Sequence, residues 1–410
     1  MRIALINFSS PVHEQKRINN SLSEFINRLE SEFEVGEFNP SDINDIDRKY
    51  YDLILNFIKT GGTESIYKKY FNNIPQPQYL LTTSLHNSLP AGLEILNYIN
   101  SQGGKGKIFH GSLDKIISEI KLFAKIHRTS NDLKGKKIGV IGTPSDWLIS
   151  SKINYEKTID KWGISIQDIA LKEVYNRYNE LDREKISEIK EDFIKRSEKM
   201  VENNEDDVWE AVRVYLALKE LVKKYDLDAL TIRCFDLVTN LGTTGCLALS
   251  LLNNEGIVSG CEGDLPATFT MLVTHLLTGK QSFMANPFMI NADDNIVKFA
   301  HCTVPTSICN SFISRSHFET GIGVGIQGFI PRGKASVLKI GGENLNKFYL
   351  KQGNIVENLT NPHACRTQIE MEFQDNVSDY FFNKPLGNHH IIIPGEYYEL
   401  LNEFFNLTIE

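Results

Sequence analysis

The chain has 410 residues, of which 41% are hydrophobic and 23% are charged, and its formal net charge is -8. A chain of this length exceeds what one hydrophobic core usually holds, so it predicts two or three domains. The acidic balance gives no overall attraction to nucleic acid or to anionic membranes, and no apolar run is long enough to span a bilayer, so we expect a cytoplasmic protein without nucleic-acid or membrane partners.

The first hundred or so residues alternate strand-like runs with helical stretches. The runs are IALINF, DLILNFI, QYLLTT and KIFHG, and the helical stretches include residues 19–32 and 91–99. Short strands that alternate with helices are typical of a parallel, doubly wound sheet, whose ligands lie beyond the carboxyl ends of the strands. We therefore predict an α/β domain over residues 1–134. The polar segment 127–137, at its end, is predicted to be the linker to the next domain.

A second alternating unit follows the linker. It contains the strand-like runs IGVIG, ALTIRC and GIVSGC, separated by helical stretches rich in Glu and Lys. The chain contains neither GxGxxG nor GxxxxGKS, so the sequence indicates no dinucleotide or P-loop nucleotide site. These patterns predict a second α/β domain over residues 135–280.

After about residue 280 the sequence pattern changes to short runs in which apolar and polar residues alternate, as in β-strands. GVGIQGFI and KASVLKI alternate apolar and polar positions between glycine turns, and helical periodicity returns only in the last dozen residues. Such a change indicates a mainly antiparallel β domain over residues 281–410. The predicted fold class is therefore two doubly wound parallel-sheet domains followed by an antiparallel β domain.

Polar residues with metal-binding chemistry lie at several strand ends. Glu262 and Asp264 follow the strand GIVSGC, and a buried carboxylate needs a cation or hydrogen-bond donors in place of its water. Oxygen and imidazole donors together suit Mn²⁺, Fe²⁺, Co²⁺ or Zn²⁺, whereas the six cysteines show no CxxC spacing that would indicate structural zinc. By spacing alone each of these residues could also be an ordinary core or surface residue. The other candidates of this kind are Asn286, His301, His389 and His390.

The segment CEGDLPATFTMLVTHLLTGKQSFMANP, followed by NIVKFAHC and later by NHHIIIPG, resembles the metal-binding core of the L-fucose isomerase and L-arabinose isomerase family. The loop TGGTE and the segment IGTPSDWLIS are similar to the shorter fucose-isomerase-like proteins of that family. This resemblance implies a metal-dependent aldose–ketose isomerase that interconverts a small sugar through an enediol. It also implies a homo-oligomer with active sites near the subunit contacts.

The resemblance implies a ligand set for one divalent metal ion, with Mn²⁺ as the first candidate. Its members would be Glu262, Asn286, His301 and His390. Consecutive strand residues face opposite sides, so at most one histidine of the pair should face the site, and His389 is the alternative ligand if the strand register differs. Glu262 is the first candidate for the catalytic carboxylate, with Asp264 orienting it or sharing the proton transfer.

Asn286 departs from the family pattern, in which the fucose enzymes have a second acidic ligand at this position. An amide oxygen can coordinate a cation, but it carries no charge and cannot act as a base. The sequence therefore leaves open a sugar-binding or regulatory relative that has lost catalysis, or another metal-assisted reaction on a sugar acid. Arg233, Arg366 and His389 are the candidate substrate-binding residues, and a guanidinium at Arg366 is suited to an anionic substituent.

Overall fold

A five-stranded parallel sheet forms the core of the N-terminal part of the chain. The computed structural model describes residues 1–12, 14–180 and 183–409, and its contacts group the chain into two units, Met1–Asn131 and Asp132–Glu410. In the first unit the strand order is β2-β1-β3-β4-β5. The elements are β1 (Arg2–Phe8), α1 (Gln15–Glu32), β2 (Glu34–Phe38), β3 (Leu53–Ile58), α2 (Glu64–Tyr70), β4 (Gln78–Thr82), α3 (Ser88–Ser101), β5 (Gly106–Phe109) and α4 (Leu113–Leu133).

The second unit begins with a four-stranded parallel sheet in the order β7-β6-β8-β9. The strands β6, β8 and β9 are short and almost fully buried, as expected for a parallel sheet covered by helices, whereas the edge strand β7 is partly exposed. The elements are β6 (Lys137–Ile141), α5 (Tyr155–Trp162), β7 (Ser165–Ile169), α6 (Lys172–Tyr178), α7 (Arg183–Arg196), α8 (Glu205–Tyr225), β8 (Ala229–Ile232), α9 (Phe235–Leu241), α10 (Cys246–Asn254), β9 (Val258–Gly260) and α11 (Leu265–Thr278).

The rest of the second unit is a closed antiparallel barrel with the strand order β10-β11-β16-β15-β14-β17, accompanied by the hairpin of β12 and β13. Buried side chains from different strands, such as Phe283 of β10, Phe299 of β11 and Ile369 of β16, share one apolar cluster. The elements are β10 (Phe283–Asn291), β11 (Ile296–His301), β12 (Ser311–Arg315), β13 (Gly325–Phe329), β14 (Gly333–Gly341), β15 (Lys347–Asn358), β16 (Thr367–Phe373), α12 (Ser378–Asn383), β17 (His390–Pro394) and α13 (Tyr398–Thr408).

The predicted fold class is confirmed, because two parallel α/β sheets are followed by an antiparallel β barrel. The expected linker over residues 127–137 is wrong in most of its length, since α4 continues to Leu133. Most of that polar segment forms the C-terminal end of α4 instead of a loop. The division into three domains at residues 134 and 280 stays a prediction. Across the described residues, every helix is too short or too polar to cross a membrane.

Candidate active site

The turn between β9 and α11 holds Glu262 in an unusual backbone conformation. Glu262 has φ +61° and Gly263 has φ +71°, the left-handed region that a residue with a side chain adopts at a cost of about 1–3 kcal/mol. Backbone hydrogen bonds from Ser145 to Glu262 O and from Gly263 to Ile232 O, both 2.9 Å long, hold this turn. A Cβ atom at Gly263 would lie 2.7 Å from Thr143 O, so only glycine fits there. The turn therefore fixes the direction of the Glu262 side chain.

Asp264 caps α11 and lies completely buried behind this turn. Its Oδ1 accepts a hydrogen bond of 2.9 Å from Ala267 N. Its Oδ2 lies 2.9 Å from His389 Nδ1 and 3.3 Å from Lys339 Nζ. Burial by itself would raise the pKa of Asp264, but the Lys339 ammonium and His389 hold that pKa below its usual range. Both carboxylate oxygens thus contact protein groups, so Asp264 orients His389, and its part in proton transfer stays a prediction.

Glu262, His301 and His389 form a buried cluster whose ligand-type atoms all lie within 4.8 Å of one another. His301 Nε2 lies 3.7 Å and His389 Nε2 lies 3.4 Å from Glu262 Oε1. Burial alone would raise the pKa of Glu262, yet the two imidazoles lower it below its usual range. Burial likewise opposes a charge on His389, but Asp264 and Glu262 raise its pKa to about 9. The cluster is therefore a site in which carboxylates attract a positive charge.

His390 points away from this cluster, which corrects the ligand set that the sequence favoured. Its Nε2 accepts a hydrogen bond of 2.9 Å from Tyr380 Oη, and its Nδ1 lies 3.0 Å from Asn388 O as donor. Burial lowers the pKa of His390 to about 3, so the ring is neutral. His389, which directly precedes β17, and not His390, lies close to Glu262 and His301. The alternative that the sequence left open is the one that the geometry favours.

Asn286 lies in β10, between β11, which ends at His301, and β17, which begins just after His389. It pairs with Ala300, the residue before His301, and it follows Ala285, which pairs with His390. Its Oδ1 is buried and, among the described residues, accepts no hydrogen bond. A buried acceptor without a donor is costly unless another group, such as a cation, satisfies it.

Trp147 was not among the residues that the sequence singled out, although it lies in the quoted segment IGTPSDWLIS. Its Nε1 donates a hydrogen bond of 2.6 Å to Glu262 Oε2, while the residue is 51% exposed. The indole also packs edge-on against Phe235, with 4.9 Å between the ring centroids. Trp147 thus forms the solvent side of the cluster, and it holds the carboxylate oxygen that does not face the histidines.

The two predicted substrate-binding arginines are engaged by other parts of the protein. Arg233 donates hydrogen bonds of 2.7 Å to Asp146 and 3.0 Å to Asp236. It therefore braces the segment that carries Trp147. Arg366 donates from Nε to Ser316 O and from Nη2 to Ser316 Oγ, at 2.8 and 3.0 Å. Neither guanidinium forms a hydrogen bond or ion pair with Glu262 within the part of the chain that the structure describes.

The donor set fits a divalent cation. His389 Nε2 and Asn286 Oδ1 are both buried without a hydrogen-bond partner among the described residues. A histidine whose other ring nitrogen faces a carboxylate is a common arrangement for a metal ligand, because the carboxylate fixes the ring. The clustered carboxylate and two imidazoles suit Mn²⁺, Fe²⁺, Co²⁺ or Zn²⁺.

Comparisons with known proteins point to sugar isomerases. The family described as the L-arabinose isomerase central domain matches residues 149–279. Sulfoquinovose isomerases of Priestia aryabhattai and Priestia megaterium are each 24% identical to this chain over 309 residues, covering 72% of the chain and 68% of the relative. A sulfoquinovose isomerase of Clostridium sp. is 25% identical over 244 residues, which cover 56% of the chain and 52% of the relative. These matches confirm the resemblance to the L-arabinose and L-fucose isomerase family.

Proposed function

We propose that this chain is a metal-dependent aldose–ketose isomerase acting on a sugar. The observation that carries the proposal is the buried cluster of Glu262, His301 and His389, with ligand-type atoms within 4.8 Å of one another. The matches to sugar isomerases support the same class of reaction. A cluster of this kind has chemical value only if a cation or a reacting group enters it, because burying polar groups is otherwise unfavourable.

The residues proposed to hold the metal ion are Glu262, Asn286, His301 and His389. Mn²⁺ is the first candidate, since oxygen and imidazole donors without thiolates suit it. When bound, such an ion would supply a Lewis acid that polarises the carbonyl of the sugar and stabilises developing negative charge. The replacement of a carboxylate by Asn286 removes one negative charge from the set, and we therefore propose a weaker metal site than in relatives with two acidic ligands.

Glu262 is the proposed catalytic base. Its Oε2 accepts a hydrogen bond from Trp147 and retains a second lone pair on the more accessible side of the cluster. Glu262 takes the proton from C2 of the aldose and returns it to C1, while the hydroxyl proton on O2 moves to O1, so no atom is gained or lost. Trp147 keeps the carboxylate oriented toward the substrate, and the strained turn keeps it from rotating away.

A sulfonated sugar is the proposed substrate class, because the relatives named above are sulfoquinovose isomerases. Arg366 is the residue proposed to recognise the anionic group, since a guanidinium pairs well with a sulfonate or phosphate. An Arg366→Gln variant should raise KM for an anionic sugar and leave KM for an uncharged sugar unchanged. An equal effect on both sugars would assign Arg366 to packing against Ser316 instead.

The test of the proposed function follows the sugar in D₂O by NMR, with metal-depleted protein and with Mn²⁺ returned. We expect interconversion of sulfoquinovose and its ketose, with deuterium from solvent appearing in the product, and only when Mn²⁺ is present. Glu262→Gln should abolish turnover and keep the circular dichroism spectrum. Glu343→Gln is the matched control, because this carboxylate is exposed and pairs only loosely with Lys157 at 3.6 Å. Full turnover in Glu262→Gln would refute the assignment of the base.

A sugar-binding or regulatory protein without catalysis is the second candidate, and Asn286 is the observation that favours it. In this case the protein would bind Mn²⁺ and the sugar without turnover, and Asn286→Asp would restore some activity. We further propose a homo-oligomer and the three-domain division described above. Light scattering and limited proteolysis near residues 134 and 280 test these two points.

A further inference from the structure

Lys339 is a fully buried lysine that the proposed reaction does not use. It lies in β14, and its side chain has 0% relative exposure. Its Nζ lies 3.3 Å from Asp264 Oδ2. A buried ammonium costs several kcal/mol unless an anion compensates it. Lys339 and Asp264 therefore depend on each other, although 75 residues separate them along the chain.

Asp264 links Lys339 to the cluster. The same Oδ2 atom that faces Lys339 also faces His389 Nδ1 at 2.9 Å, and Oδ1 is held by Ala267 N. Three donors thus hold the carboxylate in this orientation. His389 must then keep a proton on Nδ1, which leaves Nε2 directed at Glu262 Oε1, 3.4 Å away.

We propose that Lys339 is a positioning residue that acts through Asp264, keeping Nδ1 of His389 protonated and Nε2 directed at Glu262 and His301. The inference rests on the proposed metal site and deepens it. Lys339 touches neither Glu262 nor His301 by any hydrogen bond or ion pair of the described chain. Its influence on a bound cation is therefore indirect, through the orientation of one ligand.

The direction in which metal affinity changes when Lys339 is removed distinguishes a positioning role from a purely electrostatic one. If Lys339 acted on a cation only through its own positive charge, its removal would relieve repulsion and tighten metal binding. If it acts by holding Asp264, its removal loosens His389 and weakens metal binding, by about 10- to 100-fold for a group that supports a metal-ligating histidine.

The experiment is a double-mutant cycle of Lys339→Met and Asp264→Asn, read by Mn²⁺ affinity in titration calorimetry at one fixed pH. We expect Lys339→Met to weaken Mn²⁺ binding at least about 10-fold. In the Asp264→Asn background the same substitution should change the affinity less than about twofold, because the link to His389 is already lost. Lys334→Met is the matched control, since Lys334 lies on the same strand but is exposed and pairs with Glu396.

A second readout does not depend on metal. The chain has 10 histidines, so ¹⁵N-histidine labelling gives a tractable spectrum, in which His389 is assigned by its absence from His389→Gln. We expect a slowly exchanging Nδ1 proton on His389 in the metal-free wild-type protein and faster exchange in Lys339→Met. This readout separates the two proposals, because a wild-type protein that binds no Mn²⁺ would refute the metal site while the proton spectra still decide the role of Lys339.

Three results would overturn the inference. The first is unchanged or tighter Mn²⁺ binding by Lys339→Met, and the second is an equal loss of affinity with and without Asp264→Asn. The third is a wild-type His389 whose Nδ1 carries no proton. If Lys339→Met fails to fold because Asp264 is left as an unpaired buried charge, the double variant removes both charges. The wild-type spectrum then still tests the proposal.

Discussion

Replacing each of the two neighbouring histidines by glutamine, one at a time, gives the sharpest test of the candidate site. His389 and His390 are adjacent and both fully buried, but only His389 lies near Glu262 and His301. We expect His389→Gln to lose most of its affinity for Mn²⁺ and His390→Gln to keep it. The pair is its own control, because the substitution and the burial are the same and the two residues are adjacent.

The magnitudes follow from the contacts of each ring. His390 makes two hydrogen bonds, with Tyr380 and Asn388, so His390→Gln should lower the free energy of unfolding by about 2 kcal/mol, at about 1 kcal/mol for each bond. A ligand that binds only the folded state at 100 times its Kd stabilises that state by about 2.7 kcal/mol. If His389→Gln weakens Mn²⁺ binding 100-fold, the same concentration adds only about 0.4 kcal/mol.

The assay is urea unfolding of each variant with and without Mn²⁺, at 100 times the Kd of the wild-type protein. His390→Gln should be less stable than wild type without metal and should gain the full stabilisation from Mn²⁺. His389→Gln should gain almost none. Full stabilisation of His389→Gln by Mn²⁺ together with none of His390→Gln would refute this assignment, because His390 and not His389 would then be the metal ligand.

Three further changes probe the surroundings of the cluster. Asn286→Asp should tighten Mn²⁺ binding at least about 10-fold in calorimetry, because it restores a negative charge beside the cation. Trp147→Phe should lower kcat more than KM, since it removes the donor to Glu262 Oε2 and keeps an aromatic ring. Glu202→Gln should lower the free energy of unfolding at pH 7 by about 1 kcal/mol, because Arg315 lowers the pKa of Glu202 to about 2 in a partly exposed pair.

The pH dependence of the last variant has a defined sign. A carboxylate with a lowered pKa stabilises the folded state above its unfolded value near 4.5 and loses this contribution as the pH falls toward about 2. The stability difference between wild type and Glu202→Gln should therefore be constant above pH 5 and shrink below it. A constant difference through that range would contradict the link to Arg315.

Unchanged Mn²⁺ affinity in Asn286→Asp would put this residue outside the ligand set, and an unchanged kcat in Trp147→Phe would assign Trp147 to packing alone.

The fold class was within reach of the sequence because it depends on local periodicity. Short apolar runs such as IALINF and IGVIG lie in buried parallel strands, and KASVLKI lies in an antiparallel strand of the barrel. Strand and helix periods are properties of neighbouring residues, so they can be read without the tertiary contacts. The linker over residues 127–137 could not be predicted in this way, because polar residues are common both in loops and on exposed helix faces.

The candidate site was predictable only to the extent that its residues lie in recognisable motifs. The EGD segment, His301 and the histidine pair were found from the sequence, and the period of two already limited the pair to one ligand. Lys339 was missed, although a lysine within the apolar strand KASVLKI is a signal that could have been noticed. The ion pairs of Arg233 with Asp146 and Asp236 could not be predicted, because the sequence alone does not show which acidic side chains come near its guanidinium.

By itself the sequence determined the order of the elements, the presence of strand-end carboxylates and histidines, and the resemblance to sugar isomerases. Only the tertiary structure decided which of them meet. The choice of His389 over His390 depends on how the start of β17 packs against the turn before α11, and the role of Asp264 depends on Lys339, which reaches it from β14. Such contacts are set by barrel register and packing between distant segments, which no local pattern encodes.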